Sequence, residues 1–200
     1  MENSAPTRSR GRPSTTDPEH VLEVAMNAYW HRDPADVSVN ELCVLAGVSK
    51  PSLYRAFGGE DGLTKAVLER YAHEVLAEVQ AMLQPGRGLH STLAALIDFA
   101  SDSPRMRTGC MFYKMRSGKH RLGPETQALV EQLDAGARAA YRAFLQSCRD
   151  AGEWPAGLEV EAGARYLSEQ VVHAVSQRAS GEPSDQVRAS LTLALSVFSR

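Results

Sequence analysis

Four side chains able to hydrogen-bond fall within six residues of this chain: Lys50, Ser52, Tyr54 and Arg55. A lysine or arginine can donate to guanine O6 and N7 or to a phosphate oxygen, and hydroxyl groups can serve at either place. This is chemistry for holding a duplex rather than for breaking a bond. It requires one rigid element that presents all four groups on one side and fits a groove. The stretch VNELCVLAGVSKPSLYRAFGGEDGL, residues 39–63, supplies that element. Val39, Leu42 and Ala46 fall at the i, i+3, i+7 spacing of one apolar helix face. Gly47 permits a sharp turn because it has no Cβ. Ser49 is a natural N-cap, and Pro51 fits the first turn, where no donor is lost. Leu53, Ala56 and Phe57 form the expected buried side of the second helix. The pattern is a helix-turn-helix whose second helix is suited to a major groove.

At these residues the chain resembles the TetR/AcrR family of bacterial transcriptional regulators. The matching features are GRP at Gly11–Pro13, AGVS at Ala46–Ser49, SLYRAF at Ser52–Phe57 and Gly62–Leu63. Specific resemblance covers residues from about Arg10 to about Leu68, and beyond them only length and helical character agree. The chain departs from the family pattern twice. Glu60 stands where a phosphate-contacting lysine is usual, and Ala56 stands where a histidine is common. The resemblance implies an all-α fold, with a three-helix DNA-binding domain followed by a larger helical domain for ligand binding and dimerisation. The expected boundaries are a flexible basic arm at 1–16, the helix-turn-helix domain at 17–62 and the C-terminal domain at 63–200.

Composition bounds the alternatives. The chain has 200 residues, 43% hydrophobic and 6% aromatic, enough for a core. Its net charge is −2, and residues 1–65 hold seven cationic against nine acidic side chains. Any case for DNA binding must therefore be local. Arg8, Arg10 and Arg12 form an arm free of acids, while Lys50 and Arg55 sit on the recognition helix. No window approaches the roughly 18 apolar residues of a membrane span. The N-terminus lacks an apolar signal core, so a cytoplasmic location is expected. Cys43, Cys110 and Cys148 are widely spaced, odd in number and form no CxxC pattern, so reduced thiols are expected.

An enzyme is disfavoured. GxSxG, HExxH and GxGxxG are absent, and Tyr113 stands where a P-loop would need a glycine before Gly118–Lys119. No cofactor and no metal are expected. The DNA-binding residues expected from motif and resemblance are Arg10, Arg12, Lys50, Ser52, Leu53, Tyr54, Arg55 and Lys65. Thr64 and Lys65 are placed to compensate for the missing family lysine.

Asp17 and Pro18 should open a first helix to about Trp30, and Glu60 to about Leu83 should form one long helix. Further helices are expected at about Leu89–Ala100, from Pro124 to about Ala151, at about Glu159–Ala179 and at Ser184–Ser199. Residues 109–123 are the least periodic part of the C-terminal region. For an unidentified small-molecule effector, the bulky candidates are Phe99, Cys110, Met111, Phe112, Met115, Tyr141, Phe144, Tyr166 and His173. The last two helices carry a stripe including Ala164, Val171, Ala174, Leu191 and Ala194, and the family resemblance makes them the expected homodimer interface. Cys110, Met111, Met115 and His120 also admit a soft-metal or reactive-thiol reading, with Lys114, Arg116, Lys119 and Arg121 lowering the thiol pKa. That basic run could otherwise receive an anion. The function expected is a ligand-responsive repressor binding a palindromic operator as a dimer. A helical adaptor or sensor that has lost DNA binding is the alternative, favoured by the acidic balance and Glu60.

Overall fold

The structure, a computed structural model, describes residues 17–199, and every regular element among them is helical. The first three α-helices are α1 (Pro18–His31), α2 (Val39–Ala46) and α3 (Lys50–Phe57). A long rod then runs from Glu60 as α4 (Glu60–Tyr71), a π-helical stretch (Ala72–Leu76) and α5 (Ala77–Met82). The remaining elements are α6 (Leu89–Asp102), α7 (Met111–Ser117), α8 (Pro124–Asp150), α9 (Val160–Ala179) and α10 (Ser184–Leu195). The all-α class and most element bounds agree with expectation to within two residues.

Local chemistry accounts for the starts and stops. The Asp17 carboxylate accepts the Glu19 N–H at 3.0 Å, and Pro18 occupies the first helical position. Val21, Ala25 and Tyr29 recur every four residues and are buried. Ser38 caps α2 by accepting from Glu41 N at 3.2 Å. Gly47 ends α2 with φ 65°, a left-handed conformation that a side chain would strain. Ser49 then caps α3, accepting the Ser52 N–H at 3.3 Å.

α4 is the element shared by the two ends of the molecule. It packs against α1 on one side and α8 on the other. In the body, α9 lies between α6, α8 and α10. One apolar cluster of buried residues runs from Val21 on α1 through the α4–α5 rod to α10 and Phe198.

Three expectations need correction. Ala56 is exposed and only Leu53 is fully buried on α3, with Phe57 half-buried, because an eight-residue helix offers its neighbours a narrow face. The supposedly irregular stretch 109–123 contains α7, capped by the Cys110 sulfur, which accepts from Tyr113 N at 3.4 Å. The stripe on the last two helices faces inward. Ala164, Val171, Ala174 and Leu191 are all buried within the chain, leaving Leu193 and Val197 as exposed apolar groups.

Candidate nucleic-acid interface and cavity

Leu53 is the anchor of α3, with no exposed surface, so it offers nothing to a duplex and its expected DNA contact does not survive. What it does is fix the helix so that its neighbours point away. Lys50, Tyr54 and Arg55 are exposed around it and Ser52 is half-buried. The Lys50 ammonium lies 5.3 Å from the centre of the Tyr54 ring, one helical turn on, so the two form one face. Neither Lys50 nor Arg55 has a salt-bridge partner among the described residues. The Ser49 hydroxyl donates to Ser52 Oγ at 2.9 Å, holding that side chain beside the cap.

The other expected DNA contacts fall elsewhere. Lys65 pairs with Glu125 Oε2 at 3.1 Å and therefore faces the body. Thr64 is buried, donating to the Glu60 carbonyl at 2.9 Å and lying 3.3 Å from the Tyr29 hydroxyl. Neither substitutes for a phosphate-contacting lysine. Arg10 and Arg12 lie outside the described residues.

The head is tied to the body by contacts that sequence patterning missed. Asp61 accepts hydrogen bonds from Glu125 N at 2.8 Å, Thr126 N at 3.1 Å and Thr126 Oγ1 at 2.6 Å. It thereby caps α8 from a different element, satisfying N–H groups that a helix start leaves open. Burial alone would raise its pKa. The bonds from Thr126 and Glu125, together with nearby Lys65, overcome that and hold the carboxyl below its ordinary value. A Cβ at Gly123 would stand 2.3 Å from Asp61 Cγ, so glycine is required for this approach.

The stretch 109–123 makes a second tie. Trp30 Nε1 donates to the Gly109 carbonyl at 2.8 Å, and Lys114 Nζ donates to the Trp30 carbonyl at 2.5 Å. Arg121 pairs with Asp33 at 3.4 Å and with Asp36. Lys119 meets Glu131 at 2.5 Å and Arg116 meets Asp134 at 2.8 Å. Every cation of this run is thus satisfied internally, and none stands free for an anion.

Behind α7 lies a cavity of about 120 Å³, bounded by the α4–α5 rod, α6, α7, α8 and α9. Of the expected effector residues it gathers Phe99, Cys110, Phe112 and Tyr141. Met111, Met115 and Phe144 are fully buried but belong to the packing rather than the lining. Tyr166 lies on the outer surface, donating to the Ala194 carbonyl at 3.0 Å, and His173 is exposed. Lining residues that went unrecognised include Tyr71, Val75 and Val79 on the rod and Leu133 and Ala137 on α8. In the sequence they carry only the helical period of an ordinary core face.

Cys110 does not have the activated thiol that the reactive-thiol alternative requires. Burial pushes its pKa up, and the bonds from Tyr71 and the N–H groups of Tyr113 and Phe112, with Arg116 nearby, only partly oppose this. Tyr71 donates to Cys110 Sγ at 3.5 Å. His120 is exposed, and no group of three His, Cys, Asp or Glu side chains suited to a metal occurs among the described residues.

Comparison with known proteins agrees with this geometry. Residues 21–67 match the family described as bacterial regulatory proteins, tetR family. The chain is 36% identical over 168 residues to the HTH-type transcriptional repressor ComR of Escherichia coli, covering 80% of this chain and 79% of ComR. It is 26% identical over 132 residues to the repressor BdcR of the same organism, covering 66% and 67%. Its fold matches that of CifR, a TetR family transcriptional regulator solved as a cysteine mutant with 26-base-pair operator DNA. The TM-score is 0.75 at 22% identity, covering 92% of this chain and 98% of CifR. No helix among the described residues is long and apolar enough to cross a membrane.

Proposed function

This chain belongs to the TetR family of bacterial transcriptional regulators, and we propose that it is an effector-responsive repressor that binds a palindromic operator as a homodimer. Residues 17–62 form the reading head and residues 63–200 the sensing and dimerising body, acting in the cytoplasm. The observation that carries the reading is the face of α3. Leu53 is locked in the core while Lys50, Tyr54 and Arg55 stand exposed with no acidic partner among the described residues. A helix so presented can enter a major groove, with first-turn Lys50 and Ser52 at base edges and Tyr54 donating to a phosphate.

One head with so few cations makes few phosphate contacts, so affinity must come from two heads on one duplex. The outer faces of α9 and α10, with Leu193, Val197 and Tyr166 exposed, are the surface assigned to pairing. Effector response follows from shared walls. Tyr71, Val75 and Val79 line the cavity on the same rod whose first turn sits under the reading head. A ligand shifts the head only by its differential affinity for two arrangements of that rod.

Selection from a pool of random duplexes at two salt concentrations tests this. Enrichment of a palindrome, with affinity falling steeply in salt and two chains per duplex, is the expected result. A folded protein that enriches nothing, whether or not extracts supply small molecules, would instead support an adaptor that has lost DNA binding.

A further inference from the structure

The cavity also carries information about what it binds, on the premise that it is the effector site. Its volume of about 120 Å³ is on the scale of a cavity that holds one benzene molecule. Most of its wall is aliphatic or aromatic, with Val75, Val79, Phe99, Phe112, Leu133 and Val172 among the lining residues.

The polar groups divide into spent and unspent. Asp134 is held between Arg116, at 2.8 Å, and Arg138, so its charge is already compensated. Glu169 lies at the rim, exposed to water. Two cations and two anions therefore balance around the opening, and nothing inside offers a free counter-charge. An ion transferred there without a partner would lose its hydration for nothing. Tyr71 has given its hydroxyl to Cys110. Tyr141 is different: it is 6% exposed, it lines the cavity, and its hydroxyl has no hydrogen-bond partner among the described residues. Burial holds its pKa above the ordinary tyrosine value, so the group stays protonated and able to donate. A hydroxyl at the cavity wall with no partner in the protein can take one from a bound molecule.

We infer that the effector is a compact, uncharged, largely apolar molecule of about six to nine non-hydrogen atoms, with one carbonyl or hydroxyl oxygen that pairs with Tyr141. The shape is that of a substituted monocyclic aromatic or a branched aliphatic of similar bulk. Polarity at one point and apolar contact elsewhere is the usual division of labour in a ligand pocket.

Four near-isosteres provide the test on the full-length protein: toluene, benzyl alcohol, benzoate and benzylamine, each titrated by calorimetry and saturation-transfer NMR. Benzyl alcohol should bind most tightly, with benzoate and benzylamine at least tenfold weaker. Tyr141→Phe should weaken benzyl alcohol about three- to tenfold, the span of one hydrogen bond, and leave toluene unchanged. Ala137→Leu, which adds bulk to the wall, should abolish binding of both neutral probes and so locate the site. Charged probes binding as well as benzyl alcohol would overturn the inference. So would indifference of benzyl alcohol to Tyr141→Phe, or no binding by any probe. Operator affinity separates this from the sensing role. If Ala137→Leu shifts operator affinity while no probe binds, the ligand class is wrong and the sensing role stands. If benzyl alcohol binds through Tyr141 but neither it nor Ala137→Leu moves operator affinity, the ligand class stands and the sensing role falls.

Discussion

The recognition helix α3 turns its cations outward, whereas the stretch 109–123 commits its cations to partners within the protein. On α3, Lys50 and Arg55 are exposed around the buried Leu53 and unpaired among the described residues. In the body, Arg116, Lys119 and Arg121 all close on carboxylates. The same residue types thus do opposite work. Outward cations without local partners stay available to phosphates and bases, at little cost in stability because water solvates them. Paired cations hold elements in place and are unavailable to any ligand. Charge counting over the whole chain hides this distinction, and the net −2 argued against DNA binding for that reason.

The largest way to break the contrast is to remove the buried anchor that sustains the outward face. Leu53→Ala deletes a side chain with no exposure and should cost about 2–5 kcal/mol. Calorimetry should show a lowered Tm, and operator binding should fail even where the body remains helical. A variant that melts like the parent and still binds would show that α3 is held by something other than its core contact.

Next in size is the seam between the regions. Gly123→Ala drives a Cβ into Asp61, and overpacking of this kind costs about 1–3 kcal/mol. The pH dependence of the same seam has a definite sign. Asp61 is held below its ordinary pKa, so its ionised form is favoured by folding. Its contribution is fully present above the unfolded value of about 3.9 and is lost as pH falls through the lower folded value. Urea melts from pH 6 downward should show stability falling in acid, with a shallower fall in Asp61→Asn. Equal slopes in the two proteins would remove Asp61 from the account.

Smaller effects should sort the outward face itself. Lys50→Ala is expected to relax selectivity at one base position by about 1–3 kcal/mol. Tyr54→Phe should weaken binding to all sequences alike, since a phosphate contact carries no base information. Measuring each variant on a panel of single-base operator mutants checks both. A changed sequence preference in Tyr54→Phe would reverse the two roles.

The two regions also differed in how far their residues could be read. The head is built from local signals: Asp17 and Ser49 caps, the Gly47 turn and the four-residue recurrence of Val21, Ala25 and Tyr29. Each lies within a few residues of what it controls, so order along the chain nearly equals order in space. The cavity obeys no such rule. Tyr71, Phe99, Cys110, Tyr141 and Val172 come from five elements, and an aliphatic residue lining a void has the same helical spacing as one filling a core. Cys110, Phe112 and Tyr141 were found by their bulk or polarity, while Tyr166 and His173 satisfied the same criterion and lie outside. The seam was invisible for another reason. Asp61 and Gly123 each look unremarkable alone, and only their approach across 62 positions gives them meaning.

Cys110 provides the finest probe of the body, because sequence and structure oppose each other there. The cations at positions 114, 116, 119 and 121 argue for a low thiol pKa, but all four are committed to other partners, Arg116 to Asp134. Lys114 serves two carbonyls, Thr108 at 3.0 Å as well as Trp30, while burial dominates at the sulfur. A thiol held protonated is a poor nucleophile, since the thiolate is the reacting form. At pH 7.5 iodoacetamide should therefore alkylate Cys110 more slowly than free cysteine, as followed by mass spectrometry of peptides. Global unfolding should restore the free rate. Cys110→Ser should keep the α7 cap, because a serine hydroxyl also accepts from the N–H three residues on, and Tm should change by only a few degrees. Rapid alkylation of the native protein would place Cys110 with the outward-facing groups of the head, and the division between an available and a self-satisfied region would no longer hold at the cavity wall.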